Sequence, residues 1–284
     1  MMRKIILLVP VLWVMTGLHS CKEEDSSSMT FEKNFPTESI TPAGADWELD
    51  AAKSDDFDSF DSNKWSAEPL WYFGGVSGAL PTGFVYRPEN TEVSGGMARL
   101  WAKKEDYQNV PSEPRHYTAG CLKSKFEVGG DSYIEVRAKM IKAPANVCAA
   151  IWLGDDPVLE KNPNIEIDLQ ETKWAATKPH LLFTSLLSWP KPGNLNTEAI
   201  STSYYSSWDL DEDFHLYGVE RRDGKLRFYF DGLMYRESDV SATPAFATQL
   251  RPVILSIEGH AGQPGDADLP ADFQIDWVHI YNLK

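Results

Sequence analysis

After its first twenty residues, no stretch of this chain holds the 3.6-residue apolar period of a helix; short alternating runs recur between turn signals instead. Ser132–Lys139 reads SYIEVRAK, with Ile134 and Val136 on one parity and Tyr133, Glu135 and Arg137 on the other. A period of two is the pattern of a strand, because successive side chains point to opposite faces. Lys225–Glu237 holds two such runs around Asp231-Gly232, a pair that marks a tight hairpin. Asp272–Asn282 is another alternating run. Many short strands with Gly and Pro turns predict an all-β sandwich or barrel. No repeat and no interior linker divides the chain, so one domain is expected, and 42% hydrophobic residues can build its core. The stretch Glu68–Phe84, with Gly74, Gly75, Gly78, Pro81 and Gly83, is too glycine-rich for strand. Long ordered loops of that kind are often functional.

The amino terminus reads as an address. Arg3 and Lys4 precede the apolar run IILLVPVLWVM, and small residues follow. That is the layout of a secretory signal, expected over residues 1–20. The run is short for a membrane span. Leu18-His19-Ser20-Cys21 resembles a bacterial lipobox, which makes Cys21 the expected site of lipidation. A polar tether begins with Lys22–Ser28 and is taken to run over 21–44, leaving 45–284 as the folded domain. The expected location is therefore outside the cell, lipid-anchored at the outer membrane on the cell surface. A net charge of −15 argues against nucleic acid and anionic membrane surfaces as partners. Three cysteines, none at metal-site spacing, argue against zinc. Cys121 and Cys148 have two open readings, an oxidised pair in an exported protein or two small buried apolar side chains.

The chemistry is concentrated in Asn164-Ile165-Glu166-Ile167-Asp168-Leu169-Gln170-Glu171. Ile165, Ile167 and Leu169 share one strand face, which belongs in the core. Glu166 and Asp168 share the other. Strict alternation would send Glu171 to the core face. One extra residue, a β-bulge near Leu169-Gln170, returns it to the side of the other two acids. Three acids on one face raise one another's pKa values, a cost without structural return. Retaining glycoside hydrolysis needs such a set, with one carboxylate to attack and a second to carry the proton. An acidic strand facing solvent, or a calcium ligand set, would give the same short motif.

The segment resembles the signature of glycoside hydrolase family 16 in its bulged form, Glu-x-Asp-x-x-Glu. Other segments match in order: Ser54–Asp58 with Asn63-Lys64-Trp65, Arg87–Asn90 with Gly95-Gly96, and Tyr117–Gly120 with Ser124–Phe126. Tyr133–Arg137, Asp213–Tyr217, Phe228–Gly232 and Ile275–Tyr281 continue the match to the end of the chain. The resemblance implies a β-jelly-roll sandwich with substrate lying in a cleft on the concave sheet. It implies Glu166 as nucleophile, Glu171 as acid/base and Asp168 as assisting acid, with no cofactor required for catalysis. Tyr117–Gly120, Ser124–Phe126 and Tyr133–Arg137 would be strands that cross the cleft. Trp152 would pack under the cleaved sugar. Trp174 and Trp189 are candidate sugar platforms, with core or rim packing as the other reading, and Trp71 opens the glycine-rich loop that would cover the non-reducing side of the cleft. Arg87, Arg115 and His116 are candidate contacts to hydroxyl or sulfate, with surface salt bridges as the plainer account. His180 and His260 fall where related enzymes place cleft residues. A structural calcium, as many relatives hold, would sit at Asp56, Asp276 and the backbone oxygen of Gly96.

Gln170 before the acid/base, and the loop Gly78–Phe84, look more like agarases and porphyranases than laminarinases. The leading expectation is a monomeric, retaining endo-β-glycanase acting on a red-algal galactan, agarose or porphyran. A β-1,3- or mixed-linkage glucanase is the second enzyme reading. A surface glycan-binding lipoprotein that keeps the fold without turnover is the reading from another class.

Overall fold

The alternating runs become strands, and their two parities become the inside and outside of a sandwich. The computed structural model describes residues 35–70, 84–107, 115–155, 163–189, 198–259 and 261–284. The strands are β1 (Trp47–Leu49), β2 (Trp65–Ser66), β3 (Val85–Tyr86), β4 (Thr91–Val93), β5 (Ala98–Tyr107), β6 (Arg115–Ala119), β7 (Cys121–Ser124), β8 (Ser132–Lys139), β9 (Cys148–Leu153), β10 (Asn164–Glu171), β11 (Leu181–Trp189), β12 (Glu198–Tyr205), β13 (His215–Arg222), β14 (Lys225–Phe230), β15 (Leu233–Asp239), β16 (Val253–Glu258) and β17 (Ala271–Leu283). A ten-stranded sheet runs β15-β14-β13-β8-β17-β5-β6-β3, with β1 added on β17 and β4 on β5. A seven-stranded sheet runs β12-β11-β10-β9-β16-β7-β2. Packed face to face, the two make the expected jelly-roll sandwich.

Ile134, Val136 and Ala138 of β8 point inward with Phe273, Ile275, Val278 and Ile280 of β17. From the other sheet they meet Ile151 and Leu153, Ile165, Ile167 and Leu169, and Leu255 and Ile257, nearly all fully buried. Each such side chain contributes about 1.5–3 kcal/mol by leaving water. This inner layer therefore fixes the register of β10, because a one-residue slip would bury its acids instead. Asp231 and Gly232 both take positive φ, 48° and 79°, and close the β14–β15 hairpin in two residues. Gly232 is also required by packing, since a Cβ there would lie 2.6 Å from Ile40.

Two expectations are corrected by the fold, and one open reading is decided. Of the segments expected to cross the cleft, β7 alone belongs to the sheet of β10; β6 and β8 lie in the ten-stranded sheet. Residues 35–44, assigned to the tether, pack on the outer face of that larger sheet. Phe35 meets His215 edge-on at 5.4 Å, the Pro36 carbonyl accepts Arg137 Nε at 2.7 Å, and Ser39 and Ile40 donate to Glu135. Their apolar residues, Phe35, Pro36, Ile40 and Pro42, are too widely spaced to show a period. Cys121 and Cys148 are free and buried. Strand β16 stands between their strands. Two strand spacings are about 9–10 Å, beyond the roughly 4.4–6.8 Å between Cα atoms that a disulfide spans. The buried apolar reading holds.

Candidate active site

Strand β10 is anchored from its beginning. The buried guanidinium of Arg251 donates Nε to the Ile165 carbonyl and Nη2 to Asn164 Oδ1, both at 2.8 Å. Along β9 the register runs Asp168 to Trp152, then Gln170 to Ile151 and Glu171 to Ala150. Leu169 is the extra residue, so the bulge lies where parity required it. Trp152 and Ala150 share a face of β9, so Asp168 and Glu171 share a face of β10, together with Glu166.

The bulge leaves β11 short of a partner, and Gln170 supplies one. The β10–β11 ladder stops at Asp168 opposite Ser185. Beyond it, Gln170 Nε2 donates to the Leu181 carbonyl at 3.0 Å, and Phe183 N–H donates to Gln170 Oε1 at 3.1 Å. The side-chain amide thus acts as a rung, satisfying backbone groups that would otherwise be buried unpaired. Gln170 faces a backbone and not the acid-bearing face.

The three acids are set apart by their neighbours. Glu166 Oε2 accepts the indole N–H of Trp189 at 2.8 Å. Burial pushes Glu166 up to about 7; the Trp189 hydrogen bond pulls it down, and the charges of Glu258 and Glu171 push it up. Asp168 is held well above the ordinary carboxyl range, first by burial and then by the charges of Glu171 and Glu166. Glu171 Oε2 lies 2.8 Å from Lys173 Nζ. Burial alone would lower the Lys173 ammonium, but the charge and hydrogen bond of Glu171 outweigh it and raise it.

Trp152 stands opposite Asp168, buried on the acid-bearing face. Its ring lies over Gly154, where a Cβ would come within 2.5 Å of the indole and 3.5 Å of Glu166 Cγ. Its N–H donates to Ser256 Oγ at 3.0 Å, and Ser256 donates to Glu258 Oε1 at 2.9 Å. Glu258 is a fourth carboxylate at the site and was missed in the sequence. It is 92 residues from Glu166 along the chain (258 minus 166), and it arrives only because β16 lies beside β9.

The other candidates separate. Trp189 proves to be a hydrogen-bond donor to Glu166. Trp174, 48% exposed, meets Phe183 edge-on at 5.5 Å, with Lys178 Nζ 5.6 Å from its ring centre. His180 lies against Tyr205 at 5.5 Å and 3.6 Å from Asp209. Arg87 pairs with Glu89 and Glu105, and His116 with Asp106 at 2.6 Å. Arg115 is buried on β6. Arg115 and His116 lie on β6 and Arg87 directly after β3, in the sheet opposite the one that carries the acids. Trp71, His260 and Cys21 lie outside the described residues.

Both carboxylates of the expected calcium set meet basic side chains in this structure. Asp276 is paired with Arg137, and Asp56 with His279 Nε2 at 2.9 Å. Gly96 does lie beside the Asp56 backbone. Among the described residues no group of three or more His, Cys, Asp or Glu side chains could hold a metal ion.

The family model described as "Glycosyl hydrolases family 16" matches residues 82–279. The κ-carrageenase of Pseudoalteromonas carrageenovora is 30% identical over 223 residues, 70% of this chain and 53% of the carrageenase. The keratan-sulfate endo-1,4-β-galactosidase of Sphingobacterium multivorum is 29% identical over 262 residues, 86% of this chain and 57% of that protein. Among solved structures, the endo-β-1,3-glucanase of Pyrococcus furiosus superposes with a TM-score of 0.71 at 23% identity, covering 86% of this chain and 98% of that one. The chain spans about half the length of the curated relatives it matches.

Proposed function

Because the chain belongs to glycosyl hydrolases family 16, we propose that its acid-bearing face cleaves a β-linked, galactose-containing polysaccharide internally and with retention of configuration. The observation that carries this is the bulge, which gathers three mutually repelling carboxylates on one face of β10. Glu166 attacks the anomeric carbon while Glu171 gives its proton to the leaving oxygen. Water then displaces Glu166 with Glu171 as base, and two displacements at one carbon restore the β configuration. Asp168, between them, keeps a proton within the group and limits the negative charge that Glu166 must share the site with.

The substrate class rests on the κ-carrageenase and keratan-sulfate galactosidase similarities. A red-algal galactan of the agarose or porphyran kind remains the leading substrate. Reducing-sugar release from agarose, porphyran, κ-carrageenan, keratan sulfate, laminarin and lichenan tests this. Cleavage confined to laminarin or lichenan would replace it with the glucanase reading. Tight binding without release would replace it with the non-catalytic one. The amino-terminal segment completes the proposal: the protein acts as an exported monomer held to the outer membrane by lipid at Cys21. Labelled palmitate incorporated by the wild type but not by Cys21→Ala is the check.

A further inference from the structure

Lys173 brings a cation into direct contact with the acid trio, and the fold fixes it there. Thr172 closes the end of β10 against β9: its N–H donates to the Ala149 carbonyl, its hydroxyl donates to the Val147 carbonyl, and Ala149 N–H donates to that hydroxyl. The next side chain, Lys173, is thereby turned onto Glu171 Oε2 at 2.8 Å, with its ammonium 5.0 Å from the centre of the Phe183 ring. The Lys173 side chain is 27% exposed and that of Glu171 is 7% exposed, so water screens the pair weakly.

An acid/base with a lysine on it is paradoxical for the first half of a double displacement. Glu171 must hold a proton when the glycosidic bond breaks, and a neighbouring ammonium favours the carboxylate. The second half needs the reverse. Once the sugar is esterified to Glu166, that carboxylate's charge is gone, and Glu171 must be ionised to take a proton from water. We propose that Lys173 is a positioning residue for this second step, holding Glu171 as the carboxylate that activates water; the proposal rests on the retaining reading above. In that step the water oxygen bonds to the anomeric carbon and its proton passes to Glu171. The bond from that carbon to Glu166 breaks, and its electron pair returns to the Glu166 carboxylate. Nothing is oxidised or reduced. During the first step the proton on Glu171 weakens the ion pair, and the Phe183 ring retains the ammonium.

Among the described residues, the ionisable groups packed around this corner are Glu166 and Asp168 on β10, Glu258 on β16, Cys148 on β9 and Lys173 itself. From β11 the same face carries Phe183 and Ser185, which do not titrate. Removing Lys173 takes this cation away from Glu171, which stands among the like charges of Glu166 and Asp168.

The test uses Lys173→Met and Lys173→Arg in the full chain. Carbon-13 titration of the Glu171 carboxyl, assigned with Glu171→Gln, needs no substrate. An upward shift of about one pH unit or more in Lys173→Met, absent in Lys173→Arg, is expected. Equal titration in all three overturns the proposal, whether or not any polysaccharide is cleaved. On the polysaccharide that the wild type cleaves, Lys173→Met should lower kcat severalfold and KM with it, as the glycosyl-enzyme accumulates. A Lys173→Met variant in which kcat/KM falls as far as kcat also overturns it. A wild type that cleaves nothing on the panel, with the Glu171 shift still present, overturns the glycanase reading and the second-step role together, while the ion pair itself stands.

Discussion

The two outer faces of the sandwich each carry a glutamate that desolvation pushes up to about 7, the buried Glu135 on the ten-stranded sheet and the partly buried Glu166 on the seven-stranded sheet. Their surroundings differ in kind. Glu135 accepts from Ser39 Oγ, from Tyr133 Oη at 2.9 Å and from Ile40 N–H at 3.2 Å. The strap of residues 35–44 closes over it. Glu166 has Trp189 as donor but faces three other carboxylates, Asp168, Glu171 and Glu258. A displaced pKa therefore does not by itself identify a working site. Donors that converge on one acid secure a structure, whereas acids that converge on one another tune a proton.

Turnover separates the two faces most sharply. Glu166→Gln should lower kcat by about a thousandfold or more on the cleaved polysaccharide, since it removes the nucleophile while keeping the shape. Glu135→Gln should leave kcat near the wild-type value. Comparable losses in both, at equal folded fraction by circular dichroism, would erase the distinction.

Stability should separate them in the opposite direction. Glu135→Ala strands the Ser39, Tyr133 and Ile40 donors and should cost about 2–4 kcal/mol in urea unfolding. Glu166→Gln removes a charge that the folded site resists and should add about 1–2 kcal/mol at pH 8. The sign follows from linkage. Glu166 ionises in the unfolded chain near 4.5 and in the folded protein near 7. Its contribution is complete below pH 4.5 and is lost as pH rises through 7. Wild-type stability should thus decline between about pH 5 and 7.5, and Glu166→Gln should flatten part of that decline. A steeper decline in the variant would contradict the assignment.

The legible parts of this molecule were the local ones. The period of two placed Glu166 and Asp168 outward, and the same count required a bulge before Glu171, because parity is a property of neighbours. The Asp231-Gly232 turn was legible for the same reason. The purpose of Gln170 was not, since its partners lie on β11 and the need for them arises only once the bulge exists. Glu258 and Ser256 were invisible because they depend on β16 lying beside β9. Trp189 was visible as an aromatic but not as a donor. It stands opposite Asn164, one diagonal from Glu166, and only the register brings its N–H to the carboxylate. Lys173 carried no periodic signal, since its position follows from a turn closed by Thr172. The strap over Glu135 was lost to composition, its few apolar residues being diluted among polar ones.

The smallest expected effect is the most informative about the site's protons. Trp189→Phe removes the 2.8 Å donation to Glu166 Oε2 while keeping an aromatic ring at the end of β11. The carboxylate loses a charge-assisted hydrogen bond, so Glu166 should titrate above its present value of about 7, by about one unit. The working protonation state has Glu166 ionised and Glu171 neutral. For two interacting acids the optimum of kcat/KM lies midway between the two apparent pKa values, and raising either acid raises that midpoint by about half the shift. Trp189→Phe and Lys173→Met should therefore both move the optimum to higher pH. They should move its height in opposite directions. Making Glu166 harder to ionise depletes the working state, so Trp189→Phe should lower kcat/KM at the optimum by up to about tenfold. Making Glu171 easier to protonate enriches it, so Lys173→Met should leave that maximum level or raise it. Profiles of the two variants recorded beside the wild type on one substrate decide the matter. A fall of the maximum in both would mean that Trp189 and Lys173 serve to hold sugar, and the division of proton labour between Glu166 and Glu171 would have to be redrawn.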